Sequence, residues 1–201
     1  MKLATNKKRP HLQKERMAEQ KKEAKYRDTV LMILSVSFLL GGILGCLLEG
    51  RIPAGAYTSQ FLAQATQSAV APSLWRELWT VFRWPVAVVI LGFLPLAGVT
   101  VPVLFFLRGL FLAYGIVALM GGLDNAGLLW AGIVFGPTSL LAVPAFFVLG
   151  TAELLGKAAG QEKRLRFAMA CLPVLLLCVC LDRAVTPRLL HFLLKAMAEG
   201  T

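Results

Sequence analysis

The chain is poor in the residues that do chemistry. Only 16% of its 201 residues are charged, against about a quarter in a typical soluble domain. It carries two histidines, His11 and His191, and no HExxH or Cys/His cluster with zinc spacing; that excludes the common zinc sites. Four cysteines are too sparse for a disulfide scaffold, and 18 glycines without a triplet period exclude a collagen-like chain. There is no phosphate-cradling loop and no nucleophile elbow. Ser35, Ser37 and Ser139 lie in apolar runs with no histidine nearby in sequence, so an intramembrane serine protease lacks its base. Acids number 11, and none interrupts an apolar run: Glu153 closes one. A carboxylate proton relay is therefore not expected. The chain reads as a non-enzyme that needs no cofactor and no metal.

What is present is apolar mass and positive charge. The apolar share is 57% and the formal net charge is +10. Whole-chain disorder is excluded, because disordered chains are poor in aliphatic residues. Residues 1–28 hold ten Lys or Arg and four acids, with no apolar run. This is a solvated basic arm, helical at most transiently after Pro10. Such an arm can bind nucleic acid or an anionic lipid surface. Ahead of a membrane span it reads instead as the cytoplasmic flank that orients the span.

The first span is 29–48, twenty residues without a charge. At about 1.5 Å per residue it covers roughly 30 Å, the thickness of the hydrocarbon core. A cleaved signal peptide is the rival reading, with Ala54-Gly55-Ala56 resembling a cleavage site. Against it, the basic region is long and the apolar run exceeds the usual length of about 7–15 residues. Four more runs follow at 84–107, 109–123, 126–152 and 167–185. Pro85, Pro95 and Pro102 fall in the second, where a bundle can satisfy the carbonyls they free. The 109–123 run is short, so a re-entrant segment is the alternative there. It would remove one crossing and bring the C-terminus inside.

The expected fold is thus an all-α integral membrane protein with about five transmembrane helices, N-in and C-out. Residues 1–28 form the arm, 29–186 the membrane domain and 187–201 a C-terminal amphipathic helix. In that topology fifteen Lys and Arg fall inside and six outside, as the positive-inside rule asks. The charge therefore reads as an orientation signal, with no nucleic-acid partner.

Two amphipathic segments flank the apolar runs. In 73–83, Trp75, Leu78, Trp79 and Phe82 share one helical face, with Arg76, Thr80 and Arg83 on the other. Tryptophan with a polar rim suits a helix lying at the membrane interface or docking a partner. In the tail, Thr186 and Pro187 start a helix whose apolar stripe opposes Arg188, His191 and Lys195. Both segments fall on the outer side, where they make a candidate partner platform.

Two spots inside the runs stand out. Arg108-Gly109 reads as a turn, with Arg108 reaching the cytoplasmic headgroups. Gly136-Pro137 reads as a kink, although broken helices also build transporter sites. Cys171, Cys178 and Cys180 read as packing thiols, and Cys46 as a core residue.

FLRGLFLAYGIVALMGG (106–122) resembles a segment of stage II sporulation protein M in which an apolar run, a basic residue, a Gly and a second Gly-bearing helix follow one another. FGPTSLLAVPAFFVLGTAELL (135–155), with Pro144 before an aromatic pair, is similar to that family's Pro-containing aromatic helix. The resemblance covers roughly 27–190. It departs after Phe135, where Gly136-Pro137-Thr138-Ser139 stands in place of Pro and an amide residue. The resemblance implies a multi-pass cell-membrane scaffold of endospore formers that acts in forespore engulfment. It implies that the chain anchors outward-facing peptidoglycan-degrading partners, stage II sporulation proteins D and P, and is not itself the hydrolase. Membrane lipids are the other partners, and a homo-oligomer stays open. The rival functions are a small transporter or channel component, with Arg108 and Gly136-Pro137 in a solvated cavity, and a membrane-surface recruiter acting through its arm.

Overall fold

The structure is a computed structural model describing residues 9–49, 74–122, 124–159, 166, 169–181, 183, 184 and 188. Apart from the turn at 94–96, every described residue is helical. The main elements are α1 (Arg9–Glu49), α2 (Leu74–Phe93), α3 (Ala97–Gly122), α4 (Asp124–Ala159) and α5 (Met169–Leu181).

The basic arm and the first span are one helix. Pro10 sits at its second residue, where a missing N–H costs little. Through Thr29 its described side chains are exposed. From Val30 onward an inner stripe forms: Val30, Leu34, Gly41 and Gly45 are buried at helical spacing. The remaining faces expose Ile33, Val36, Leu39, Leu40, Ile43 and Leu47. In water such a surface would drive aggregation; facing acyl chains it costs nothing. Three helical stretches are long and apolar enough to cross a membrane: Ala24–Leu48, Ala97–Gly121 and Ser139–Gly156. Val81–Phe93 and Met169–Leu181 are shorter apolar helices.

Glycines set the closest contact. A Cβ on Gly41 would strike the Phe106 carbonyl, one on Gly45 the Leu110 carbonyl, and one on Gly109 the Phe38 carbonyl. The backbones of α1 and α3 therefore touch, as small residues allow between membrane helices. The register rises together on both helices, so α1 and α3 run in the same direction. Between them α2 returns antiparallel, with Val88 packed in the same core cluster as Val101 and Leu104. At the next turn Gly127 lies against Leu119 and Met120, which reverses α4. Along α5, Cys171 joins the core near Val30, and Cys178 the cluster near Val81. The five helices therefore alternate in direction.

The turn is not where the sequence placed it. α3 passes straight through Arg108-Gly109, and the chain reverses at Leu94-Pro95-Leu96 instead. A residue before proline is pushed out of helical geometry, so α2 ends there. The Leu94 N–H donates to the Leu91 carbonyl (3.2 Å) and the Ala97 N–H to Leu94 (3.2 Å). Leu96 then accepts from the N–H groups of Val99 (2.9 Å) and Thr100 (3.1 Å), starting α3. Gly109 is needed for close approach rather than for a turn. The expected spans 84–107 and 109–123 become the end of α2 and the whole of α3. Likewise α4 runs unbroken through Gly136-Pro137 to Ala159.

The core centres on Phe105, which is fully buried. Its ring stacks on Phe146 (4.1 Å between centroids) and meets Phe147 edge-on (4.9 Å). Phe38 of α1 closes on Phe147 at 5.7 Å. Gly150 makes room for the Phe105 ring, since a Cβ there would stand 2.6 Å from it.

Candidate functional site

The α2 helix carries the first candidate group. Its inner face is Leu78, Val81, Pro85 and Val88, so Leu78 and Phe82 pack against the cluster of Val81, Ala145, Leu175 and Cys178. Trp75 and Trp79 remain outside, 74% and 60% exposed. The expected four-residue stripe is therefore split, with two members in the core and two indoles presented outward. Both stand at the start of α2, the end away from the basic arm. Of the tail candidates, Arg188 is exposed, while His191 and Lys195 lie outside the described residues.

Arg108 sits in the interior of α3, partly buried against α2. Its guanidinium lies 5.4 Å from the centre of the Trp84 ring, and that of Arg83 lies 5.7 Å from the same ring. Trp84 also leans on Phe111 (6.1 Å), and its indole N–H is buried without an acceptor among the described residues. The turn at 94–96 is a common ruler for depth. Trp84 precedes Phe93 by nine residues and Arg108 follows Ala97 by eleven, about 14 and 17 Å at the rise of an α-helix. Both therefore lie well along their helices, away from that turn. Arg108 is thus in mid-helix and not in the turn expected at Arg108-Gly109.

Gly136 and Pro144 line a groove of about 570 Å³ between α1, α3 and α4, together with Phe38, Ile116, Gly132 and Ser139. The Ser139 hydroxyl is the only polar side-chain group among its lining residues, and Arg108 is not one of them. The structure thus separates Arg108 from the Gly136 region instead of joining them in one cavity. A Cβ at Gly136 would meet nothing within 4 Å.

Two further sites differ from expectation. Glu153 was expected to end a span, yet it is 2% exposed and lies within the apolar stretch Ser139–Gly156. Leu154 and Leu155 after it are the available sign that the helix continues. Cys46, expected in the core, faces outward, as does Cys180; Cys171 and Cys178 are buried. The Cys171 thiol approaches the Ala145 carbonyl at 3.9 Å. Among the described residues no group of three His, Cys, Asp or Glu could hold a metal.

No protein-family model matches the chain. No curated protein and no solved structure matches it either.

Proposed function

We propose that the chain is a five-crossing membrane scaffold, N-in and C-out, of the kind its resemblance to stage II sporulation protein M implies. In this reading it anchors outward-facing cell-wall hydrolases, stage II sporulation proteins D and P or similar proteins, at the engulfing membrane. The alternating helix directions and the ten Lys and Arg of residues 1–28 support the topology. One observation carries the scaffold over a conduit: the described interior is filled by glycine-mediated backbone contact and stacked phenylalanines, and the large groove is apolar. A transporter needs a path that its polar groups line; the groove offers one hydroxyl, and Arg83, Trp84 and Arg108 do not line it.

The exposed Trp75 and Trp79 make the docking face. Large rigid aromatics supply most of the binding energy at protein interfaces. Trp75→Ser with Trp79→Ser is expected to cut recovery of the tagged hydrolase partners from solubilised membranes at least tenfold, with the scaffold's own level unchanged. Deleting residues 187–201 tests the tail in the same assay. If both changes leave recovery intact, the outer platform is wrong.

Topology is tested separately. A phosphatase active only outside the cytoplasm, fused after Thr201, is expected to be active, and the same fusion before Met1 inactive. Activity at the N-terminal fusion alone reverses the orientation. Inactivity at both ends gives an even number of crossings and brings the C-terminus inside.

A further inference from the structure

We propose that Arg83, Trp84 and Arg108 bind one phosphate-type anion at membrane depth, in the leaflet opposite the basic arm. Both guanidiniums lie by the one Trp84 ring, and all three side chains are donors. Each guanidinium offers five N–H groups and the indole one, with no acceptor among them. Among the described residues neither arginine has an ion pair or a hydrogen bond; each has only the Trp84 ring. A cation–π contact steadies a guanidinium without neutralising it. Two like charges over one ring also repel. The buried acid nearest in kind, Glu153, is too far along the bundle. α4 runs against α3, with Gly150 at Phe105, so Glu153 lies toward Val101 and Arg108 lies the other way. An anion with several oxygens answers the exposed Arg83 fork and the half-buried Arg108 fork together. Phosphate matches that fork geometry.

The surroundings favour a lipid as the source. Leu107 and Phe111 on α3, and Val86 and Ile90 on α2, expose apolar side chains beside the cluster, where acyl chains would lie. The apolar part of α2, Val81–Phe93, spans only about 20 Å. That is shorter than the roughly 30 Å core, and a short helix thins the bilayer around it. Thinning lowers the headgroup level to Arg83, which is exposed.

The test uses the full chain purified in a neutral detergent, with bound lipid read by native mass spectrometry and melting read in parallel. Phosphatidylglycerol is expected to leave one tightly retained molecule per chain and to raise the melting temperature. Phosphatidylcholine should do neither. Arg83→Gln, at an exposed position that folding tolerates, should weaken retention at least tenfold, as should Arg108→Lys through loss of the fork. Lys21→Gln with Lys22→Gln, on the arm, should leave the retained molecule in place. Inorganic phosphate alone is the second arm: a melting shift that Arg83→Gln abolishes keeps the anion site and assigns it to free phosphate. Equal retention of the two lipids, or phosphatidylglycerol retention unchanged in Arg83→Gln without such a phosphate shift, overturns the proposal.

Discussion

Gly109→Leu is expected to destroy the folded state in mild detergent, while Gly136→Ala leaves it intact or slightly more stable. In sequence each glycine marks an expected break, a turn at Arg108-Gly109 and a kink at Gly136-Pro137. In the structure they are opposites. The Cβ of any residue at 109 would enter the Phe38 carbonyl, and the Gly42 N–H stands 3.2 Å away. Backbone cannot rotate out of the way as a side chain can, so α1 and α3 must separate along the contact that also holds Gly41 and Gly45. Overpacking a core with movable side chains costs about 1–3 kcal/mol, and a backbone clash at this interface should exceed the upper figure. At Gly136 nothing lies within 4 Å. There alanine offers up to about 1 kcal/mol of helix propensity over glycine, less what its Cβ loses against the following Pro137 ring. Melting of the two variants, followed by size-exclusion chromatography after heating, separates them by sign. Similar melting temperatures would mean that α1 and α3 are not in backbone contact.

That contrast shows what was legible in the sequence and what was not. Hydropathy carried the helical class and the apolar stretch of α1. It did not distinguish three prolines in one run. Pro85 and Pro102 lie inside α2 and α3, and only Pro95 ends a helix. All three free a carbonyl and restrict the preceding residue. What separates them is tertiary: α3 lies along α1 from Ala97 onward, and α2 buries Pro85 itself. Arg108-Gly109 misled for the complementary reason. A charge beside a glycine is a sound turn signal for a chain read alone. Here the glycine serves a neighbouring helix and the arginine an indole from another. The Trp84 cluster was equally hidden, because Arg83, Trp84 and Arg108 meet only once the chain has turned at Pro95. Glu153 was misplaced since hydropathy ends a span at the first charge, whereas a buried carboxylate can continue it.

Phe105→Ala should melt the bundle at lower temperature by an amount that reports on its solvent. Phe105 is fully buried and touches Phe146, Phe147 and Gly150 from α4. In a water-soluble core such a truncation costs about 3–5 kcal/mol, as lost transfer energy plus a cavity. Between membrane helices the transfer part largely vanishes, because acyl chains are as apolar as the core the ring leaves. What remains is the cavity and the lost contacts, which puts the expected cost at about 2 kcal/mol. The exposed Leu39 on α1 is the matched reference. Leu39→Ala removes apolar surface without opening a cavity and should cost under about 0.5 kcal/mol. Reversible unfolding of both variants in mixed micelles measures the difference. A cost near zero at Phe105 would mean that α3 and α4 do not pack through their phenylalanines. A cost above about 4 kcal/mol would indicate a core assembled against water, which the outward apolar faces of α1 argue against.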